Sequence, residues 1–102
     1  MDPNTASIHR LALCEDMTIY HAQAQKEQLL GALAAAPSLE LDLSQVAEID
    51  TAGLQLLLLV KREAATAGKA FSLTAHSNSV REVIEFTQLG SYFGDPMLIS
   101  AR

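Results

Sequence analysis

The chain has 102 residues, 49% of them apolar, with a formal net charge of −5; that length suits a single domain spanning residues 1–102 with a real core and leaves no room for a second. Its 7 basic residues are dispersed apart from adjacent Lys61 and Arg62, which argues against direct nucleic-acid binding, and its longest apolar run, Leu56 to Val60, falls far short of the roughly 20 residues that membrane insertion requires. One cysteine, Cys14, forbids an internal disulfide, and Met1-Asp2-Pro3-Asn4 does not resemble a secretory signal, so a cytoplasmic protein is expected.

Residues 1–6 read as a tail. Ile8 to Cys14 predicts a first strand, Glu15-Asp16 a turn, and Met17 to Tyr20 a second short strand closing a hairpin. His21 to Ala36 is rich in helix formers, with an apolar stripe of Ala22, Lys26, Leu29, Leu30 and Leu33, and Pro37 ends it. In Leu39 to Leu43, leucines alternate with Glu40 and Asp42, the period-two pattern of a strand with one buried face. A helix follows from about Thr51 to Ala67, stopped by Gly68, with Lys69 beyond its negative end. Leu54 and Leu56 to Val60 cover much of its circumference, so its first half should be core, Leu57 and Leu58 included. Phe71 and Leu73 alternate with Ser72 and Thr74 as another strand. Ser77 or Ser79 caps a helix through Val80, Val83, Ile84 and Thr87, Ser79 and Glu82 having capping-box spacing. Leu89-Gly90 closes that helix, Phe93 to Pro96 forms a turn, and Met97 to Ile99 is a candidate last strand. Strands joined through helices of this length make parallel neighbours by right-handed crossovers. The expected architecture is α/β: a small mixed β-sheet with helices mainly on one face.

The densest information lies in Asp42 to Leu54. Asp50 is a preferred N-cap, because its carboxylate accepts an orphaned backbone N–H of the first turn. Thr51 then stands near the first helical position, where free N–H groups and the helix dipole favour a negative charge such as a phosphate. On residue types alone, Asp50-Thr51 is first of all a good helix start. Gly53 permits close packing there, and with Ala52 it should leave the backbone around Thr51 open to an approaching enzyme.

The segment Ile49-Asp50-Thr51-Ala52-Gly53-Leu54, with the helix that continues it to Lys69, resembles the signature of the STAS family. The family comprises bacterial anti-sigma factor antagonists and the cytoplasmic tails of some anion transporters, and the resemblance runs from the strand near Ile8 to the Gly90 region. It implies a sheet with helices mainly on one face and a phosphorylatable hydroxyl directly after the Asp, here Thr51. It also implies a partner face, for which Asp50, Thr51, Ala52, Gly53, Leu54 and Gln55 are the matching positions. The partner would be an anti-sigma factor that is itself a serine/threonine kinase, bound by the unphosphorylated form, with a phosphatase restoring that form. Two departures qualify the match: Glu15-Asp16-Met17-Thr18 lacks the Gly-Glu-Leu-Asp-like turn of many antagonists, and Thr51 replaces the commoner Ser. The Asp-Thr-x-Gly-Leu form is also similar to small STAS subunits that bind the ATPase of lipid-transport ABC systems.

Little else suggests chemistry. His9, His21 and His76 lie on different elements without the close ligand pairs of metal sites, and the glycines form no nucleotide-binding spacing. Cys14 could in principle be a nucleophile, and an enzyme using it or a histidine is a third reading, but at the end of an apolar strand with no motif around it the residue reads first as an inert buried thiol. The expectation is a binding protein with no cofactor, no metal and no catalytic constellation.

Overall fold

In a computed structural model the described residues are 8–87; the expectations for residues 1–6, the Leu89-Gly90 stop, the Phe93–Pro96 turn and the Met97–Ile99 strand lie outside them. The elements run β1 (Ile8–Ala12), α1 (Ala22–Ala35), β2 (Ser38–Leu43), α2 (Thr51–Thr66), β3 (Ala70–His76) and α3 (Asn78–Thr87). The architecture is α/β: among the described residues, a three-stranded sheet of order β1-β2-β3 with both strand pairs parallel. A monotonic order with right-handed crossovers puts the connecting helices on one face. The leucine alternation of β2 confirms which face: Leu39, Leu41 and Leu43 are wholly buried, whereas Glu40 and Asp42 on the other face are half-exposed and Glu40 pairs with Arg10.

The hairpin expected over residues 8–20 does not form. Ile8–Ala12 pairs with β2 instead, and Met17 makes one parallel bridge to Ile49 before the chain turns through residues 18–21 into α1. A hairpin between neighbouring segments satisfies few apolar contacts here, whereas pairing with β2 aligns β1 with the most buried strand of the sheet. In α1 the buried positions are Gln25, Leu29, Ala32 and Leu33, so the inward stripe begins at Gln25 while Lys26 is exposed. In α2 they are Gly53, Leu56, Leu57, Val60 and Ala64. Leu58 is only half-buried, a correction to its expected place in the core.

The end of α2 follows its sequence, Gly68 taking a left-handed φ of 71°. Lys69, however, serves another helix: its Nζ donates to the carbonyls of Leu33 at 2.7 Å and Ala34 at 3.3 Å, satisfying the C-terminal end of α1. Ser77 is the residue that caps α3, its Oγ accepting from Val80 N at 3.3 Å. A register shift between Leu41 and Asp42 leaves Thr74 out of the β2–β3 ladder, and its hydroxyl donates to the Leu41 carbonyl at 3.3 Å.

Candidate functional site

The turn from β2 into α2 is held by a short zipper to the segment between β1 and α1. Met17 N donates to the Glu48 carbonyl at 2.9 Å, Asp50 N to the Met17 carbonyl at 3.1 Å, and Glu48 N to Asp16 Oδ1 at 3.2 Å. Buried Gln25 anchors the other end, its Nε2 donating to the carbonyls of Glu15 and Asp16 at 3.4 and 3.1 Å. None of this is visible as a motif, because each bond joins residues whose separation in sequence carries no periodic signal.

Asp50 does two things at once. Its Oδ1 accepts Gly53 N at 3.1 Å, the expected N-cap, and its Oδ2 accepts Ile19 N at 3.1 Å. The Gly53 N–H, then that of Ile19, hold its carboxyl below the usual carboxylate range against the opposing effect of desolvation. Asp50 is therefore a charged clasp between the helix start and the 15–21 segment, as well as a cap.

Gly53 is buried, and its role is packing. A Cβ there would run into the Met17 carbonyl oxygen and lie 2.8 Å from Met17 Cβ and 2.9 Å from Ile49 Cγ1. The backbone on that side of Thr51 is thus closed by Met17, and the idea that Gly53 opens it to an enzyme is replaced by a close approach only glycine permits.

Thr51 and Gln55 are exposed; Ala52 and Leu54 are half-buried. The residues divide between two clefts. Ala52 and Gln55, with Leu56 and Leu59, face α1 residues Ala22, Gln23 and Lys26 across a cleft of about 230 Å³. Asp50, Thr51 and Leu54, with Ile49, face Val83, Phe86 and Thr87 of α3 across one of about 300 Å³. The expected site residues are therefore brought together as one helix start, with Gly53 beneath it.

Three residues that sequence reasoning passed over lie on the segments that border this start. Ile19, Tyr20 and Phe86 are the exposed large apolar side chains among the described residues, at 66%, 90% and 89% exposure. Phe86 lies off the Val80–Ile84 stripe of α3, which was the available sign that it does not face the core. Elsewhere, Cys14 is exposed, correcting its expected burial, and His21 Nε2 sits 3.1 Å from Glu15 Oε1. Among the described residues no group of three or more His, Cys, Asp or Glu is placed to hold a metal ion, and no helix is long and apolar enough to cross a membrane.

Comparison with known proteins agrees with this geometry. The family model described as "Mlab, STAS domain" matches residues 3–99. A solved structure of the anti-sigma factor antagonist SpoIIAA in its unphosphorylated form is similar, with a TM-score of 0.68 over 81% of this chain and 76% of that one, at 20% sequence identity. At that identity the likeness is one of fold.

Proposed function

From the premise that this chain belongs to the STAS domain family, we propose that it is a phosphorylation-switched protein-binding regulator of the anti-sigma factor antagonist kind. In its unphosphorylated form it captures an anti-sigma factor that is a serine/threonine kinase, through Asp50, Thr51, Ala52, Leu54 and Gln55, with Gly53 holding the helix start beneath them. Phosphorylation of Thr51 by that kinase releases it, and a phosphatase restores the bound form. The observation that carries this reading is the exposed Thr51 hydroxyl at a helix start fixed by the Asp50 clasp, beside a cleft with apolar walls. A phosphate adds a charge of about −1.5 to −2. Beside Asp50 and Glu48, and within an apolar contact, that charge meets like-charge repulsion and loses its hydration, which the helix N-terminus offsets only in part. The surface works by contact, with the whole chain acting as one domain.

Thr51 in place of Ser, together with the Glu15 to Thr18 turn, favours a second reading: a subunit that binds the ATPase of a lipid-transport ABC system, in which Thr51 is a contact residue and carries no phosphate. Identifying the protein that co-purifies with the tagged chain from its native cell separates the two, a kinase-like ATPase supporting the first and an ABC ATPase the second. Phosphopeptide mapping with the recovered kinase should then find Thr51 as the principal site; modification at Ser44, Ser77 or Ser79 instead would overturn the assignment. Thr51→Ala should bind like wild type, and Thr51→Glu should bind more weakly in a titration. Equal affinities would remove the switch.

A further inference from the structure

We infer that the partner docks through two aromatic anchors, Phe86 on the cleft that holds Thr51 and Tyr20 on the segment clasped to Asp50, and that its matching face is an apolar patch fringed by Lys and Arg. The inference rests on the docking reading above and specifies its chemistry. Soluble proteins scatter single apolar residues over their surfaces, but a group converging on one point marks an interaction site. The three large apolar residues exposed among the described residues all belong to segments that border this helix start. Ile19 is tied to the site through its N–H on Asp50 Oδ2, Tyr20 follows it just ahead of α1, and Phe86 lines the cleft shared by Asp50 and Thr51 from the α3 side. Aromatic side chains with this much area to lose are the usual anchors of protein interfaces.

The charges around the anchors say what kind of protein fits. Exposed Glu15, Glu48 and Asp50 lie on the zipped segments, and exposed Glu82 lies one turn before Phe86. The cations on the flanking helices are Lys26, in the neighbouring cleft between α1 and α2, and Arg81 of α3, half-buried and donating to Asn78 Oδ1 at 3.0 Å. Lys61, Arg62 and Lys69 fall in the second half of α2 and beyond it, away from its Thr51 end. An apolar centre with an acidic fringe is complementary to an apolar centre with a basic one, which speeds encounter more than it strengthens the final contact. The same division keeps the switch consistent. Rim pairs in water contribute little each, whereas a phosphate on Thr51 would sit beside Phe86 in the desolvated centre of the contact, where an unpaired charge costs far more than the rim returns.

The test titrates the ATPase recovered with the tagged chain against wild type, Tyr20→Ala, Phe86→Ala and Thr51→Glu, each checked for folding by circular dichroism. Each aromatic truncation should weaken binding about 30-fold, and raising salt from about 50 to 300 mM should slow association on the order of tenfold. A photo-crosslinking residue placed at position 20 or 86 should attach to the same ATPase. Affinities within threefold of wild type for both truncations, or salt-independent association, would overturn the inference. So would concentration-dependent dimerisation in sedimentation that Phe86→Ala abolishes, since the occupant would then be a second copy of this chain. If the truncations bind normally while Thr51→Glu does not, the switch stands and the anchors fail. If the truncations weaken binding while Thr51→Glu binds like wild type, the anchors stand and the switch fails.

Discussion

Met17 and Gly53 set the tightest constraint at the residue scale. An alanine at a helix position ordinarily gains about 1 kcal/mol over glycine, but here the added Cβ meets a backbone carbonyl that is itself bonded to Asp50 N. The carbonyl cannot swing aside like the end of a flexible side chain. Gly53→Ala should therefore destabilise by about 1–3 kcal/mol, measured by denaturant melts, and should also loosen the 15–21 segment that carries Ile19 and Tyr20. Asp50 gives a second expectation at this scale. Its folded-state pKa is depressed by the Gly53 and Ile19 N–H groups, so its contribution is fully present above the unfolded value, about 3.9, and is lost as pH falls through the folded value. Asp42 is depressed likewise, chiefly through the Ser44 N–H. Stability should then be level from about pH 5 to 7 and fall below about pH 4. The gap between wild type and Asp50→Asn should narrow over that fall; a gap constant with pH would show that charge plays no part in the clasp.

Among the elements, α2 divides most clearly between fold and function. Leu56, Leu57 and Val60 point into the core, whereas Leu54 and Leu59 line the two clefts and Leu58 is half-buried. Leu57→Ala should cost about 2–5 kcal/mol, a large share of the stability of a domain this size. Leu58→Ala should cost clearly less, because much of its side chain keeps solvent on one side; equal losses in parallel melts would place Leu58 in the core after all. A run of five apolar residues cannot show which of its members face inward when two neighbouring helices and a sheet compete to cover it. The same limit applies to α1, where Gln25 takes a core position because the carbonyls of Glu15 and Asp16 lie within its reach. Helical periodicity reports spacing, and the partners of a buried amide come from another part of the chain.

For the whole molecule, the described helices and strands share one hydrophobic core, running from Leu13 and Met17 through the β2 leucines to Val80 and Ile84. A core with no internal division should unfold in one step. Calorimetric and van't Hoff enthalpies should agree, and two separated transitions would contradict the single-domain expectation. The distribution of charge is also set at this scale: Glu48 and Asp50 stand at the Thr51 end of α2, and Lys61, Arg62 and Lys69, with Glu63 among them, stand beyond its middle.

By itself the sequence determined the elements that its own local pattern encodes. The β2 alternation, the Asp50 cap, the Thr51 helix start and the Gly68 stop each depend on residues within a few positions of one another, and the signature around Thr51 was legible for the same reason. What the tertiary structure decided were the long-range pairings: β1 beside β2 in place of a hairpin, Lys69 on the end of α1, Met17 against Gly53, and Ile19 on Asp50. It also decided that Tyr20 and Phe86 stand exposed, Phe86 on the cleft that holds Thr51. Local hydrogen bonds and periodicity are written in neighbouring residues, whereas pairing, burial and exposure depend on which distant surface closes over each segment.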